Sequence, residues 1–367
     1  DILAVILREV RHAGVSDGQV EVVFATGMHP PLTPAQAAEK LGPAAAGLRW
    51  RSNPWTSPDG HVRIGRVGQL DVALDRGVAS ADLRVLVSSV SPHLQAGFGG
   101  GYKMLFPGCA DLETIRGLHH LGLSRGDRQL AGTTADRNPM RAAIDAAGRL
   151  ADAAGGASFA VQYVLDARGR PTYFATGEVL PAHQMLAKRC AAACGIIVSQ
   201  TADVLLTNAY PLDFDLWQSF KSIVNTRWAV RPGGPIICLA RCQAGTNQMP
   251  QVPRPLRWLR PRATRWLVRR LGAENLAAML TRLVPSLAGD AAFFVRMAAR
   301  TLHRNPISLV SPALADAGVR FPGLEIFPDA DAALAAARQL LGDRPQRVTV
   351  FPAGGTSYPV LPGPAGA

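Results

Sequence analysis

The chain has 367 residues, of which 48% are hydrophobic and 6% aromatic, and its formal net charge is +12. This length suffices for two domains with separate cores, and the composition excludes disordered and fibrous classes. No apolar run reaches the roughly 18 residues that a membrane-spanning helix needs, and no signal-peptide pattern is visible. The sequence therefore predicts a cytoplasmic globular protein.

The first hundred residues alternate helix and strand patterns. A helix is predicted over about residues 1–14, and because the sequence begins inside it with Asp1, we expect further residues upstream. The strand pattern "VEVVFATG" follows, and after a loop and a helix comes a stretch that reads as irregular, from Arg49 to Asp59. Two more strand patterns precede the glycine-rich region, and the second, "ADLRVLVSSV", is apolar enough to be a central strand.

The alternation continues to the end of the chain. Two helices flank the hairpin pattern "FAVQYVLDARGRPTYFATG", and buried strands then alternate with helices up to "RVTVFPAGG". Short links between strands and helices predict an α/β fold of two α/β domains with mostly parallel sheets. We predict an N-terminal domain over residues 1–197 and a C-terminal domain over 198–346, with a strand near 347–360 that returns to the first domain.

An arginine-rich insertion is predicted over residues 252–272 of the C-terminal domain. Its sequence "VPRPLRWLRPRATRWLVRRLG" contains seven arginines and two tryptophans. It is typical of a solvated or oligomer-contact helix face, of an anionic membrane surface, or of nucleic-acid binding. We expect at most weak contact with a membrane surface and no nucleic-acid partner, and the oligomeric state stays open.

A glycine-rich loop follows one of the strands. "LRVLVSSV" ends just before His93, and ligands of open α/β sheets lie beyond the carboxyl ends of the strands. The run "AGFGGGYK" lets the backbone approach a ligand and direct amide groups at an anion. It is not a dinucleotide fingerprint, because Tyr102 stands where glycine is required. It is not a phosphate loop either, because Met104 follows Lys103.

A helix is predicted directly after this loop. Pro107 and Gly108 predict a turn, and Asp111 can cap the helix "DLETIRGLHH". His119 lies one turn after Ile115, on a face that can point toward the loop. A lone helical histidine is usually structural. Three histidines and a lysine on a strand end, a loop and a helix favour a functional site.

This region resembles the signature of the lactate racemase family that uses a nickel-pincer nucleotide. The residues that match its motif in register are His93, Ala96, Gly97, Phe98, Gly100, Gly101, Lys103, Pro107, Gly108 and His119. Two further segments also resemble the family, "VVFATGMHPPLT" with His29 and "AYPLDFDLWQSFKS" with Gln218 and Lys221. The resemblance extends to the last strand and so spans the whole chain.

The resemblance implies a covalently tethered cofactor, pyridinium-3-thioamide-5-thiocarboxylic acid mononucleotide, which holds nickel. Lys103 would be the tether and His119 the protein ligand of the nickel, since soft sulfur and imidazole ligands suit this metal. The glycine loop would hold the nucleotide, through Gly97, Gly100, Gly101 and Pro107. Proteins that synthesise the cofactor are implied as partners.

The resemblance also implies the activity, which is racemisation or epimerisation of a small-molecule 2-hydroxy acid in the cleft between the two domains. The reaction would proceed by reversible hydride transfer, with His29 and His93 as the acid/base pair, because imidazole titrates near working pH. Gln218 and Lys221 lie three positions apart on a helix and share a face. They would bind the substrate.

Some positions depart from the family pattern. Pro30 follows His29 where arginine is usual, and Gly99 and Tyr102 replace serine and arginine in the loop. These changes favour a 2-hydroxy acid other than lactate, or a different hydride transfer on a bulkier acid. The alternative is a non-catalytic relative that binds a membrane surface or a protein partner through its arginine- and tryptophan-rich segment.

Overall fold

The computed structural model describes residues 2–124, 126–166, 168–247, 249–342 and 346–362. They form two compact units. The first comprises Asp1–Val90, Gly99–Ser124 and Thr134–Lys188, and the second comprises Ser91–Phe98, Arg125–Thr133 and Arg189–Ala367. A compact unit is not necessarily a domain that folds alone, so the division of the chain after residue 197 stays a prediction.

Helices and strands alternate along the chain, which confirms the predicted α/β class. The α-helices are α1 (Ile2–His12), α2 (Pro34–Leu41), α3 (Arg76–Ser80), α4 (Leu112–Leu123), α5 (Pro139–Ala154), α6 (Val179–Cys194), α7 (Leu216–Thr226), α8 (Arg254–Arg257), α9 (Pro261–Leu271), α10 (Ala273–Leu283), α11 (Ala291–Arg304), α12 (Pro312–Asp316) and α13 (Ala330–Leu341). The strands are β1 (Glu21–Phe24), β2 (Arg49–Ser52), β3 (His61–Val67), β4 (Leu70–Asp75), β5 (Leu83–Ser89), β6 (Pro92–His93), β7 (Gly97–Phe98), β8 (Ala157–Leu165), β9 (Pro171–Glu178), β10 (Gly195–Ile197), β11 (Val204–Asn208), β12 (Ile236–Leu239), β13 (Ile307–Val310), β14 (Leu324–Phe327), β15 (Val348–Phe351) and β16 (Tyr358–Val360).

The first unit contains three small sheets: a parallel β1–β2 pair, an antiparallel β3–β4 pair, and the sheet β5–β8–β9. The prediction of an irregular stretch from Arg49 to Asp59 was wrong for its first four residues, because β2 covers Arg49–Ser52. Trp50 packs edge-on against Phe24 of β1, with ring centroids 5.9 Å apart. Arg51 is paired with Asp75 at 2.6 Å. These two contacts explain why the polar sequence "RWRS" forms a strand.

In the third of these sheets, β8 is the middle strand; it pairs with β5 in parallel and with β9 in antiparallel orientation. The prediction that β5 is a central strand was wrong, because β5 lies at the edge of this sheet in the order β5–β8–β9. Its alternate residues Arg84, Leu86 and Ser88 are buried. The short 3₁₀ helix Gly101–Met104 packs against β5, so the apolar pattern of this strand reflects burial by a helical segment rather than by a second strand.

The second unit is built on a five-stranded sheet in the order β14–β13–β12–β11–β15, and every pair in it is parallel. Its core includes Leu205, Ile236 and Leu309 from the strands and Phe220 and Phe294 from the helices. The C-terminal segment forms two strands. β15 pairs with β11, and β16 pairs with β10.

In the described part of the chain, no helix is both long and apolar enough to cross a membrane. All five cysteines are free thiols, and Cys194 alone among them is not fully buried. Burial raises the pKa of Cys109 and of Cys238 to about 12, so these two thiols stay protonated at neutral pH and behave as small apolar side chains.

Candidate active site

The glycine loop adopts a backbone conformation that only glycine tolerates well. Gly97, Gly100 and Gly101 have φ angles of +76°, +77° and +64°. A Cβ atom added at Gly100 would lie 2.9 Å from Oε1 of Gln162, and one at Gly101 would lie 3.0 Å from the ring of His183. The loop therefore passes against these two side chains with no room for a methyl group.

Three side chains from separate elements hold this loop in place. The imidazole of His183 in α6 contacts the carbonyl oxygen of Gly99 at 2.9 Å through Nε2. The backbone N–H of Gly101 donates to Oε1 of Gln162 in β8, also at 2.9 Å. The guanidinium of Arg141 in α5 donates to the carbonyl oxygen of Gly100 at 3.4 Å. We call His183, Gln162 and Arg141 the loop clamp. Sequence reasoning missed all three.

The electrostatics of the loop clamp keep His183 neutral. Burial and, to a smaller extent, the nearby charge of Arg141 lower the pKa of His183 to about 4, although the bond to the Gly99 carbonyl opposes this shift. A neutral imidazole whose Nε2 faces a carbonyl oxygen carries its proton there and donates it. Burial also lowers the pKa of Arg141, and Asp145 at 3.4 Å opposes that effect.

Two buried polar atoms beneath the loop have no hydrogen-bond partner. They are Nε2 of Gln162 and Oγ of Ser88. The two residues are register partners on the parallel strands β5 and β8, near the carboxyl ends of both strands. Because leaving a buried polar group unpaired costs free energy, such atoms usually mark a place that a ligand or water completes.

Lys103 lies on the short helix Gly101–Met104, where its side chain is half-buried. Its backbone N–H donates to the carbonyl oxygen of Gly100 at 3.2 Å, and its own carbonyl oxygen accepts from the N–H of Gly108 at 3.2 Å. A Cβ atom at Gly108 would lie 2.2 Å from the carbonyl oxygen of Met104. The turn at Pro107 and Gly108 therefore folds back on the helix that carries Lys103.

The helix α4 begins after Asp111, as predicted. The carboxylate of Asp111 accepts from the N–H of Thr114 at 2.9 Å, and a Cβ atom at Gly117 would collide with Leu70 of β4, so α4 lies close against that strand. Ile115 is fully buried, and His119 one turn later is half-buried. The neighbouring His120 is exposed, which makes it a natural control for His119.

His29 is exposed in the turn that follows β1. Its N–H donates to the carbonyl oxygen of Thr26 at 3.0 Å, and the N–H of Gly27 in the same turn donates to the carbonyl oxygen of Gly108 at 2.9 Å. The turn of His29 is thus bonded to the segment that carries Pro107 and Gly108. Within the first unit, the structure brings this turn and the loop of Lys103 together.

A second support of this region was missed from the sequence. The side-chain amide of Asn53 is buried and donates to the carbonyl oxygen of Ala110, just before α4, at 2.9 Å. The Nε2 atom of the buried His61 lies 3.1 Å from Oδ1 of Asn53. The pair fixes the start of α4 against the end of β2.

His93 belongs to the β6–β7 hairpin of the second unit, where it pairs with Gly97. Its Nδ1 atom accepts from the backbone N–H groups of Gln95 at 3.2 Å and of Ala96 at 3.0 Å. A ring that accepts at Nδ1 is neutral and carries its proton on Nε2. His93 is therefore held as a hydrogen-bond donor, and a role as a base requires its ring to turn away from these two amides.

Gln218 and Lys221 lie on α7, whose first turn is capped by Asp215. Oδ1 of Asp215 accepts from the N–H of Gln218 at 2.7 Å. The two predicted substrate-binding side chains are half-buried on a helix whose following residues are buried. Burial lowers the pKa of Lys221, and the negative charge of Asp215 opposes that effect. A carboxylate bound beside Lys221 would offset this desolvation and favour the charged form of the amine.

A cavity of about 410 Å³ opens at the carboxyl ends of β11, β12 and β13, with Asn208, Arg241 and Pro312 among its lining residues. The guanidinium of Arg241 donates to both carboxylate oxygens of the buried Asp213, at 2.5 and 3.1 Å. The arginine lowers the pKa of Asp213. Sequence reasoning missed this pair, although its place beyond the strand ends could have indicated it.

The predicted site residues are divided between the two units. The first unit holds His29, Gly100, Gly101, Lys103, Pro107 and His119. The second unit holds His93, Gly97, Gln218 and Lys221.

Comparison with known proteins finds similarity to lactate racemases. Residues 1–131 match the family model of the lactate racemase N-terminal domain. The chain is 27% identical over 251 residues to the lactate racemase of Thermoanaerobacterium thermosaccharolyticum and 26% identical over 255 residues to that of Lactiplantibacillus plantarum. Each match covers 66% of this chain, and the chain spans 56% and 57% of the length of these relatives.

Solved structures give the same fold. The lactate racemase apoprotein from T. thermosaccharolyticum superposes with a TM-score of 0.80 at 20% identity, covering 98% of this chain and 82% of that one. A crystal structure of a protein from Thermotoga maritima superposes with a TM-score of 0.67 at 14% identity, covering 97% and 88%. The family model and the two relatives agree with the resemblance to the lactate racemase family that the motifs indicated, and the solved structures agree in fold.

Proposed function

We propose that the chain is an isomerase, a racemase or epimerase of a 2-hydroxy acid, which uses a nickel-pincer nucleotide tethered to Lys103. The observation that carries the proposal is the loop clamp, which fixes the glycine loop next to Lys103 above two unpaired buried polar atoms. The names of the relatives, which are lactate racemases, point to the same reaction class.

The residues of the first unit fit the cofactor. The loop at Gly100 and Gly101 carries no side chains and lies close against Gln162 and His183. Nε2 of Gln162 and Oγ of Ser88 can donate to oxygen atoms of a nucleotide. Lys103 would hold the pyridinium group through its side-chain nitrogen, and the half-buried His119 would bind the nickel. When bound, the cofactor supplies a reversible hydride acceptor.

The glycine loop lacks the arginine that the family pattern places there to pair with the phosphate of the nucleotide. Tyr102 stands where the family has an arginine, and its ring lies against Gly148 of α5. Its hydroxyl donates to the carboxylate of Asp152, which also accepts from Arg84. Because Tyr102 brings no positive charge, the nucleotide phosphate would depend on backbone N–H groups of the loop.

The chain's own residues would bind the substrate and move its proton. Lys221 would neutralise the carboxylate, and Gln218 would hydrogen-bond to the oxygen atoms at the reacting carbon. Inversion requires that the hydroxyl proton be taken and returned for either enantiomer, so two histidines are needed, and His29 and His93 are the candidates. While Nδ1 accepts from the amides of Gln95 and Ala96, His93 would offer only a hydrogen bond from Nε2–H; it would take the hydroxyl proton at Nδ1, and later return it, after its ring has left these amides.

The test is a racemisation assay on protein made in cells that synthesise the cofactor. A panel of 2-hydroxy acids is offered as single enantiomers, and formation of the opposite enantiomer is followed by chiral chromatography. We expect activity on an acid other than lactate. His119→Ala should abolish it, and His120→Ala, next to it but exposed, should retain it. Loss of activity in both variants to the same degree, or in neither, would contradict the proposed role of His119.

A further inference from the structure

The helix α9 has an inner face and an outer face of opposite character. Thr264 and Val268 point inward and are buried, and α9 packs on α10 and α11. The exposed residues on its opposite side, which we call the arginine face, are Arg262, Trp266, Arg269 and Arg270. An amphipathic helix of this kind covers the unit with one side and presents the other to an external surface.

Tryptophan is exposed at the centre of the arginine face. The side chain of Trp266 is 66% exposed, and it lies one helical turn from Arg262 on one side and from Arg270 on the other. Trp258, just before α9, is 65% exposed, and the guanidinium of Arg320 stands 4.4 Å from its ring centroid. Two large indole rings thus remain in contact with solvent among cations, although each would gain free energy from burial.

The positive charge of this region is not compensated. Seven arginines occur between Arg254 and Arg270 without an acidic residue. Glu274 follows them in sequence, and its carboxylate is already occupied by Arg296 at 3.2 Å and Arg300 at 2.5 Å. Within the described part of the chain, no ion pair includes an arginine of the arginine face. Its complement is therefore an extended anionic surface.

We propose that the arginine face docks on an anionic phospholipid bilayer. Arginine binds the phosphates of the headgroups, and indole rings prefer the level of the headgroups, where one side is apolar and the other wet. The convex side of a helix can lie flat on a plane. Single-stranded nucleic acid is instead held in a groove that follows its backbone, which a convex helix does not provide.

The test is binding of the full chain to vesicles of pure phosphatidylcholine and to vesicles that also contain phosphatidylglycerol. We expect binding to the anionic vesicles alone, with a blue shift in tryptophan emission that is smaller in Trp266→Tyr. Binding should weaken steeply from 0.1 M to 1 M salt, as the Debye length falls from about 10 Å to about 3 Å. The triple variant Arg262→Gln, Arg269→Gln and Arg270→Gln should bind roughly a hundred-fold more weakly.

The matched control removes three exposed arginines from elsewhere, by Arg8→Gln, Arg137→Gln and Arg338→Gln. This control has the same net charge as the triple variant of the arginine face, but it should bind the anionic vesicles as tightly as the unchanged protein does. All six positions are exposed, so both triple variants should keep the thermal transition of the unchanged protein. Equal weakening in the two variants, or equal binding to neutral vesicles, would overturn the proposal. Binding of a single-stranded oligonucleotide through the arginine face, without vesicle binding, would overturn it too and assign the face to nucleic acid.

Discussion

The histidine of the loop clamp should make the stability of the protein depend on pH. His183 has a pKa of about 4 in the folded chain and of 6.5 without the fold. Protonation therefore favours the unfolded state. The stabilisation from the neutral imidazole is fully present above pH 6.5, and it is lost as the pH falls toward 4. The gap of roughly 2.5 pH units corresponds to about 3 kcal/mol of unfolding free energy.

The variant His183→Gln isolates this contribution. A glutamine amide can still donate to the carbonyl oxygen of Gly99, but it does not titrate. Urea unfolding at several pH values between 4 and 7 should give an unfolding free energy that falls more steeply with decreasing pH in the unchanged protein than in the variant. The difference between the two slopes should correspond to the uptake of up to one proton on unfolding.

Direct titration of the ring by NMR gives an independent measurement. We expect the His183 signals to stay in the neutral form at pH 5.5, with a chemical shift typical of an imidazole protonated at Nε2. A titration midpoint near 6.5, or the same pH dependence of unfolding in the unchanged protein and in His183→Gln, would refute the argument from burial.

Three further predictions concern single residues. Gly97→Ala should cost at least about 3 kcal/mol of unfolding free energy, because its Cβ atom would lie 1.9 Å from the backbone carbonyl oxygen of Thr133. Gly233 also has a positive φ but open space around it, so Gly233→Ala should cost only about 1–2 kcal/mol, and equal losses of stability in urea unfolding would contradict this reasoning. Asp75→Ala should cost about 1.5–3 kcal/mol, because it removes the charged hydrogen bonds to Arg51, which keeps only Glu21, and the cap on the N–H of Val78. Asp71→Ala, which breaks an exposed pair, should cost less than about 1 kcal/mol, and thermal unfolding that ranks the two variants the other way would refute this. Lys221→Gln should raise KM for the 2-hydroxy acid more than tenfold, since it removes a charged hydrogen bond of about 1.5–3 kcal/mol; an unchanged KM would exclude Lys221 from substrate binding.

The sequence predicted the elements that depend on local patterns. Asp111 and the apolar spacing around Ile115 were enough to place α4 and with it His119, because capping and periodicity act within a few residues. The strand β2 was missed because "RWRS" has a polar composition, and its pairing depends on Phe24 and Asp75, which lie far away in sequence.

The loop clamp could not be read from the sequence for a similar reason. Arg141, Gln162 and His183 are each about twenty positions apart on different elements, and only the fold brings them to the glycine loop. Gln162 did carry a signal, as a fully buried amide in an otherwise apolar strand. The state of the His93 ring depends on two backbone N–H groups whose direction no sequence pattern indicates.

The central claim is that Lys103 carries a covalent cofactor and that His119 binds its nickel. The most direct measurement is the intact mass of the protein made in cells that synthesise the pincer nucleotide, with peptide mapping and metal analysis of the same sample. The proposed function predicts an adduct on Lys103 and bound nickel, with nickel lost in His119→Ala and retained in His120→Ala. A folded protein with an unmodified Lys103 and no nickel would contradict it.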